Sequence, residues 1–314
     1  MRFGFGKRGR PSAAGLAGIV ISDDAVTAVH LHPEAGQPPQ LLSRLDAVGA
    51  EPQRNLLALA EWVAAHQLHG VPATLTLNYG SYQIHQVDKP DVPADELRAA
   101  LRWRLKDVLD HSPADAVIDC FDSPPTRQKR IEPAQVVAAR ISRLKPLVAA
   151  LQATGLDLRR IDIPEFALRN LLSRALDRHD TTALLYLLPQ RGVLQICRDD
   201  TFYFARTLEH GLEALVRASG GGAFSGHSDL EDRIALEAQR TMDYYDSHFG
   251  QGPVKKLLVL GRGIELQRLA EHIASALGIA AQLVTPAELV RGLDASEPTH
   301  ELMPLALGGA LGSA

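Results

Sequence analysis

"KRGRPSAAGLAGIVISDDAVTAVHL", Lys7 to Leu31, admits two readings that lead to different proteins. As an export signal, Arg2, Lys7, Arg8 and Arg10 form a basic start and Ala13 to Ile21 a short apolar run. As folded structure, the same letters give an apolar strand Leu16–Ile21, a polar turn at Ser22-Asp23-Asp24, and a second strand with Val29 and Leu31 on one face. The second reading is preferred. Only Leu16, Ile19, Val20 and Ile21 are strongly apolar, two aspartates follow at once, and the one tolerable cleavage site, after Ala28, would cut a good strand.

The pattern continues outward from that hairpin. A third strand-like segment, Leu41–Val48, follows the breaker at Gly36–Pro39, and Leu56, Leu57, Leu59, Ala60, Val63 and Ala64 then recur at helical spacing before "ATLTLNY" returns to strand. A different unit is inserted over about 82–133: a strand "YQIHQVDKP", a helix Asp95–Asp110, a strand "AVIDCFDSP" and a Pro- and basic-rich loop Pro124–Pro133. "AQVVAARI" resumes the strand signal, followed by a helix through Leu151 and the segment "LDLRRIDIP". Near Pro164 the chain crosses into a second half. Glu165–Leu176 is helical, and "TTALLYLLPQRGVLQICRDDTFYFARTL" reads as three strands joined by two turns.

Each half therefore opens with a three-strand meander followed by helix and strand, the pattern of a duplicated ribonuclease-H-like unit. The expected fold is α/β and of the actin-like ATPase type. Residues 1–164 form the first domain, 165–300 the second, and 301–314 a segment returning to the first. Composition agrees, because 314 residues at 46% hydrophobic and 22% charged can bury a large core. A formal net charge of -4 gives no whole-molecule attraction to nucleic acid or anionic lipid. The two cysteines, Cys120 and Cys197, lie in separate apolar runs and form neither a disulfide framework nor a metal motif. No window approaches the roughly 20 apolar residues of a membrane span, so membrane association is expected to be peripheral.

The block Tyr82–Pro124 resembles the MshI proteins of mannose-sensitive haemagglutinin (MSHA) pilus biogenesis. It is also similar, more distantly, to PilM of type IV pilus assembly and the cytoplasmic part of the secretion protein GspL. "IDIPEFALRNLL", "LEAQRTMDYYDSHFG" and "LLVLGRGIELQRLAEHIASALG" carry the same resemblance in the same order along the chain. The resemblance implies an actin-like fold holding ATP or ADP between two domains with two phosphate loops and a glycine-containing adenosine motif. It also implies a cytoplasmic scaffold, peripheral at the inner membrane, in which a groove of the first domain binds the cytoplasmic N-terminal tail of a PilN-like bitopic protein. The assembly ATPase is a further expected partner.

The implied phosphate chemistry is degraded in these residues. Gly18-Ile19-Val20-Ile21-Ser22 stands where relatives resemble "GIDIG", and Val20 offers no oxygen to magnesium. A shift of register would bring Ser22, Asp23 or Asp24 to the site instead. The second loop aligns with Leu185-Tyr186-Leu187-Leu188-Pro189, which has neither carboxylate nor glycine, and proline removes a backbone donor. Gly261-Arg262-Gly263 follows an apolar strand and opens a helix, as the adenosine motif would; the plain alternative is a strand-to-helix turn. Glu237 and Arg240 match positions that approach the nucleotide ribose, against the alternative of a solvated i,i+3 charge pair. The expectation is a non-enzyme without efficient ATP hydrolysis, with an active ATPase or kinase-like enzyme of the same fold as the rival.

The helix Asp95–Asp110 supplies the candidate partner surface. At 100° per residue Leu97, Leu101, Leu105 and Val108 form a buried stripe, while Trp103 projects nearly opposite, beside Ala99 and among Glu96, Asp107 and Asp110. Ala99, Trp103 and Asp107 are taken as docking residues, since an aromatic ring with a charged rim typifies binding hot spots, with intramolecular packing as the alternative. His30-x-His32 shares a strand face without a third ligand, so no metal site is expected. Arg127, Lys129 and Arg130 read as a solvated loop, and "SGGGAFSGHS" as a flexible connection without the lysine of a P-loop.

Overall fold

A tight turn at Ser22–Asp24 sets the first hairpin. The two strands it joins, β1 (Leu16–Ile21) and β2 (Ala25–His32), pair antiparallel from Leu16↔Leu31 to Ile21↔Val26. The structure, a computed structural model, describes residues 15–34, 37–49, 51–127, 133–173, 180–220 and 226–312. The basic N-terminal residues, Lys129 and Arg130, and residues 221–225 of the glycine loop lie outside the described residues, while 219–220 end one helix and 226–228 begin the next. The chain continues through β3 (Gln40–Val48), α1 (Pro52–Ala65), β4 (Pro72–Thr76), β5 (Tyr82–Asp88), α2 (Leu97–Arg104), β6 (Ala116–Asp122), β7 (Pro133–Arg140), α3 (Ile141–Ala153), β8 (Asp157–Asp162) and α4 (Pro164–Leu172). Then come β9 (Thr181–Leu187), β10 (Gly192–Arg198), β11 (Thr201–Leu208), α5 (Leu212–Gly220), α6 (Gly226–Phe249), β12 (Lys256–Leu260), α7 (Ile264–Leu277), β13 (Ala280–Val284), α8 (Pro286–Leu289) and α9 (Met303–Leu311).

Two compact units result. The first takes residues 1–125, 129–168 and 302–314, and the second 126–128 and 169–301. The first unit has a five-stranded sheet in the order β3-β2-β1-β4-β8, and the second a five-stranded sheet in the order β11-β10-β9-β12-β13. In each, the first three strands are antiparallel and the last two join in parallel, so the meander of the sequence is the same module twice. The parallel strands require helical crossovers, and α1, α3, α6 and α7 lie in the segments that lead to β4, β8, β12 and β13.

The insertion in the first unit forms a three-stranded sheet, β5-β7-β6. Its central strand β7 pairs with both neighbours, so the inserted sheet extends to Arg140 rather than ending at about 133. One of its faces joins the main core through Val137 and Ala139. The other carries Ala116, Ile118, Val136 and Ala138 against Leu101 and Leu105 near α2. That helix is shorter than the periodicity predicts. It closes at Leu105 and the chain turns, so Val108 is exposed instead of completing the buried stripe.

The second face of the first unit's main sheet is covered by α9, every residue of which is buried. The approach is closer than any side chain permits. A Cβ on Gly18 would lie 1.9 Å from the Ala306 carbonyl oxygen, one on Gly308 1.9 Å from the Ala167 carbonyl oxygen, and one on Gly309 2.4 Å from Thr76 Oγ1. Thr76 Oγ1 also donates to the Leu305 carbonyl at 3.3 Å. In parallel register Val20 lies opposite Thr76, so it shares the face beneath α9, where it is wholly buried. Gly18→Val therefore forces α9 off the sheet: chemical denaturation should show a loss of about 2–3 kcal/mol, whereas Gly49→Ala, whose added methyl would meet its nearest neighbour at 3.7 Å, leaves the midpoint unchanged.

Candidate functional site

The turn after β1 closes on itself. Ser22 N donates to Ala25 O at 2.8 Å, the Ala25 amide to Ser22 Oγ at 3.0 Å, and Ser22 Oγ to Asp24 Oδ1 at 2.8 Å. Asp23 and Asp24 are exposed. Val20, which the resemblance sets where a metal-handling acid would stand, is a packed apolar side chain of β1, with Asp23 and Asp24 beyond the end of the strand in the turn.

In the second unit, the aligned loop Leu185–Pro189 ends β9 and turns at Leu188–Arg191, closed by Leu188 N to Arg191 O at 2.9 Å. The carbonyls of Leu188 and Pro189 accept the amides of Leu212 and Glu213, both at 2.9 Å. The first amides of α5, which at a free helix start are available to an anion, are spent on the chain's own turn. Tyr186 is buried and its hydroxyl donates to the Glu301 carbonyl; burial holds its pKa far above the ordinary value.

Gly261 and Gly263, also in the second unit, take φ of 149° and 115° between β12 and α7. A Cβ on Gly261 would come within 2.5 Å of Leu266 Cδ1. The turn needs glycine for its own geometry. Arg262 Nη1 donates to the Glu297 carbonyl at 2.5 Å, fastening the turn to the following loop. Glu237 and Arg240 lie on α6, half-buried and exposed respectively, and form no ion pair with each other. In water such an i,i+3 pair is worth only a few tenths of a kcal/mol, too little to hold two long side chains in one geometry. The core stripe of that helix is realised: Ile234, Ala238, Thr241, Tyr245 and Phe249 are buried, and Leu230 packs partly against the same core.

On α2, Trp103 is 73% exposed, with Ala99 and Asp107 exposed too. Its ring carries Lys106 Nζ 5.3 Å from the centroid. No packing within the described residues covers it. His30 is buried in β2 and His32 is half-buried.

The residues that sequence reasoning missed lie where two sheet edges of the first unit meet. A pocket of about 60 Å³ is lined by Leu77, Phe121, Val137, Ile161, Ile163 and Phe166, with Asp119, Cys120 and Asp162. The small sheet contributes its edge strand β6, and the main sheet the end of its edge strand β8. Phe121 and Phe166 meet edge to face at 4.8 Å. The polar groups are acidic: Asp119 accepts the Cys120 amide at 3.1 Å and pairs with Arg98 of α2 at 3.3 Å, while Asp162 accepts the Ile163 amide at 3.0 Å. Burial raises the Cys120 thiol pKa, so it is no ready nucleophile. No contiguous motif marks this pocket, because its residues come from five separate segments. Trp103 and Asp107 are not among the lining residues; Arg98 is the side chain that ties α2 to it.

Behind the pocket, Tyr82 Oη donates to Glu165 Oε2 at 2.6 Å, joining the first strand of the insertion to α4. Burial pushes Glu165 from 4.5 up to about 7, opposed by the Tyr82 hydrogen bond, and raises Tyr82 well above its ordinary value.

No protein-family model matches the chain, and no curated protein matches it in sequence. Solved structures do match in fold. One described as "PilM-PilN type IV pilus biogenesis complex" aligns at a TM-score of 0.69 and 20% identity, over 95% of this chain and 98% of that one. The cytoplasmic domain of EpsL, an inner membrane component of the type II secretion system of Vibrio cholerae, aligns at 0.50 and 14% identity, over 95% of each. The fold is the actin-like ATPase fold, with two ribonuclease-H-like modules. Among the described residues no helix is long and apolar enough to cross a membrane.

A carboxyl whose folded-state pKa lies above its unfolded value keeps its proton after the unfolded chain has lost it. Its stabilising contribution is full below about pH 4.5 and falls as pH rises to about 7. Urea unfolding across that window should show wild type losing on the order of 3 kcal/mol relative to Glu165→Gln. Parallel pH profiles for the two proteins would contradict this.

Proposed function

We propose that the protein is an actin-like scaffold of the MshI type in MSHA or type IV pilus assembly. In this reading the first unit binds the cytoplasmic N-terminal tail of a PilN-like bitopic inner-membrane protein. The observation that carries the reading is the pocket between β6 and β8. It lies between the outer strands of two sheets, with aromatic walls for the apolar side chains of an extended peptide and Asp119 and Asp162 for its basic groups. Cytoplasmic tails next to membrane spans are rich in Lys and Arg, which suits those acids. The likeness to a structure of a PilM-PilN complex supports the same partner class.

Ala99, Trp103 and Asp107 form a second contact surface, for the membrane protein outside its tail or for the assembly ATPase. The protein stays cytoplasmic and reaches the inner membrane through its partner. ATP or ADP, where held, serves as a structural ligand, with Ser22, Asp23 and Asp24 of the first unit and Glu237, Arg240, Gly261, Arg262 and Gly263 of the second as the candidate residues. Hydrolysis is inefficient because Val20 supplies no ligand to magnesium.

Calorimetry with synthetic N-terminal tails of PilN-like proteins should give saturable binding. Phe166→Ala should weaken it by about tenfold or more, as expected for an aromatic anchor. Failure of several such tails to bind, or equal affinity in Phe166→Ala, would overturn the groove. Capture of the intact membrane protein in mild detergent should fall with Trp103→Ala, and an unchanged yield would remove Trp103 from the interface.

A further inference from the structure

The outer strand of the first unit's main sheet, on the side away from β8, is β3, and among the described residues its backbone ladder runs to β2 alone. Val48 pairs with Ala25, and the ladder continues one residue further as Gly49 N to Asp24 O at 2.8 Å. Along an antiparallel pair, residues alternate between exchanging backbone hydrogen bonds with their partner and turning those groups away from it. With Gly49 bonded to β2, the backbone groups of Ser43, Leu45 and Ala47 turn inward, and those of Arg44, Asp46 and Val48 turn outward. His30 pairs with Ser43 and Leu31 with Leu41, so Leu42 is left over in a bulge where the regular run ends.

The side chains of this run have a pattern of their own. Leu42 is 52% exposed and Val48 65%, large apolar groups at its two ends. Between them stand Arg44 and Asp46, both half-buried, and Asp46 Oδ1 accepts the Thr27 hydroxyl at 3.1 Å. Leu45 and Ala47 lie on the opposite face, packed partly against the main core.

We infer that β3 is a self-association edge, pairing antiparallel with β3 of a second copy about a two-fold axis at Leu45. A two-fold contact sets residue i opposite j and j opposite i. Outward-turned residues must meet outward-turned residues, so the central registers are those centred on Arg44, Leu45 or Asp46. Centred on Arg44 or on Asp46, like charges meet across the seam, which opposes pairing. Centred on Leu45, Arg44 of each copy stands opposite Asp46 of the other, Leu42 falls beside Val48, and the two Leu45 side chains meet on the core-side face. Charges on an outer strand ordinarily guard it against pairing; these guard it in the neighbouring registers and favour it in this one. A guanidinium has several donors and a carboxylate two oxygens, so the seam adds to the contacts each group already makes. The pairing joins two five-stranded sheets into one. It leaves the pocket beside β8 uncovered, because β8 is the outer strand on the other side of the sheet.

Self-association is therefore independent of tail binding and is tested on the full chain alone. Sedimentation equilibrium over a range of concentrations should show a reversible monomer–dimer equilibrium. Arg44→Glu sets carboxylates against carboxylates and Asp46→Lys sets cations against cations, so each variant alone should self-associate about tenfold or more weakly than wild type. An equimolar mixture of the two restores opposite charges at both crossings and should dimerise as wild type does. Val48→Lys, at an exposed position, should melt like wild type when dilute and yet self-associate more weakly. A wild-type chain that sediments as a monomer at every concentration, variants that dimerise as wild type does, or charge variants whose mixture stays monomeric would overturn the pairing.

Discussion

The contact on which the first unit depends is the seating of α9 against β1 and β4, made backbone to backbone through Gly18, Gly308 and Gly309. A sheet of this kind is apolar on both faces and must be covered on both. The main core covers one side with α1 and α3; the chain's last helix covers the other. The glycines lose entropy on folding and contribute no side-chain burial, so their presence is justified only by the close approach they allow. Because α9 lies so near, the side chains that share its face, Thr76 and Val20 among them, are sealed from solvent.

That sealing bears directly on chemistry. An aspartate at position 20 would be a buried charge under an apolar helix, costly unless an ion paid it back. With valine there, the same position adds to the core. In the second unit the first amides of α5 are capped by the carbonyls of Leu188 and Pro189. β6 and β8 lie beside each other at the pocket walled by Phe121 and Phe166.

Much of this was legible from the residues. The turn at Ser22–Asp24 and the repeated meander are local patterns, set by alternation and turn chemistry, and they appear in the structure as the same strand order twice. Helical periodicity puts Trp103 off the buried stripe, but that no other described part of the chain covers it is seen only in the structure. The length of its helix was not legible either, because apolar spacing persists to Val108 although the chain leaves the helix at Leu105. β7 was legible as a strand but not as the centre of the small sheet, since pairing partners are not written in a strand's own letters. The groove was illegible for a similar reason: Leu77, Phe121, Val137, Ile161 and Phe166 are unremarkable core residues until topology brings two edges together.

The most direct measurement is steady-state ATP hydrolysis by the purified full-length chain with and without magnesium. The proposed loss of the phosphate-binding positions predicts no magnesium-dependent turnover above a no-protein control. Turnover that rises with magnesium and falls when Asp23 or Asp24 is replaced by Asn would contradict it, placing those turn carboxylates in the role that Val20 does not fill.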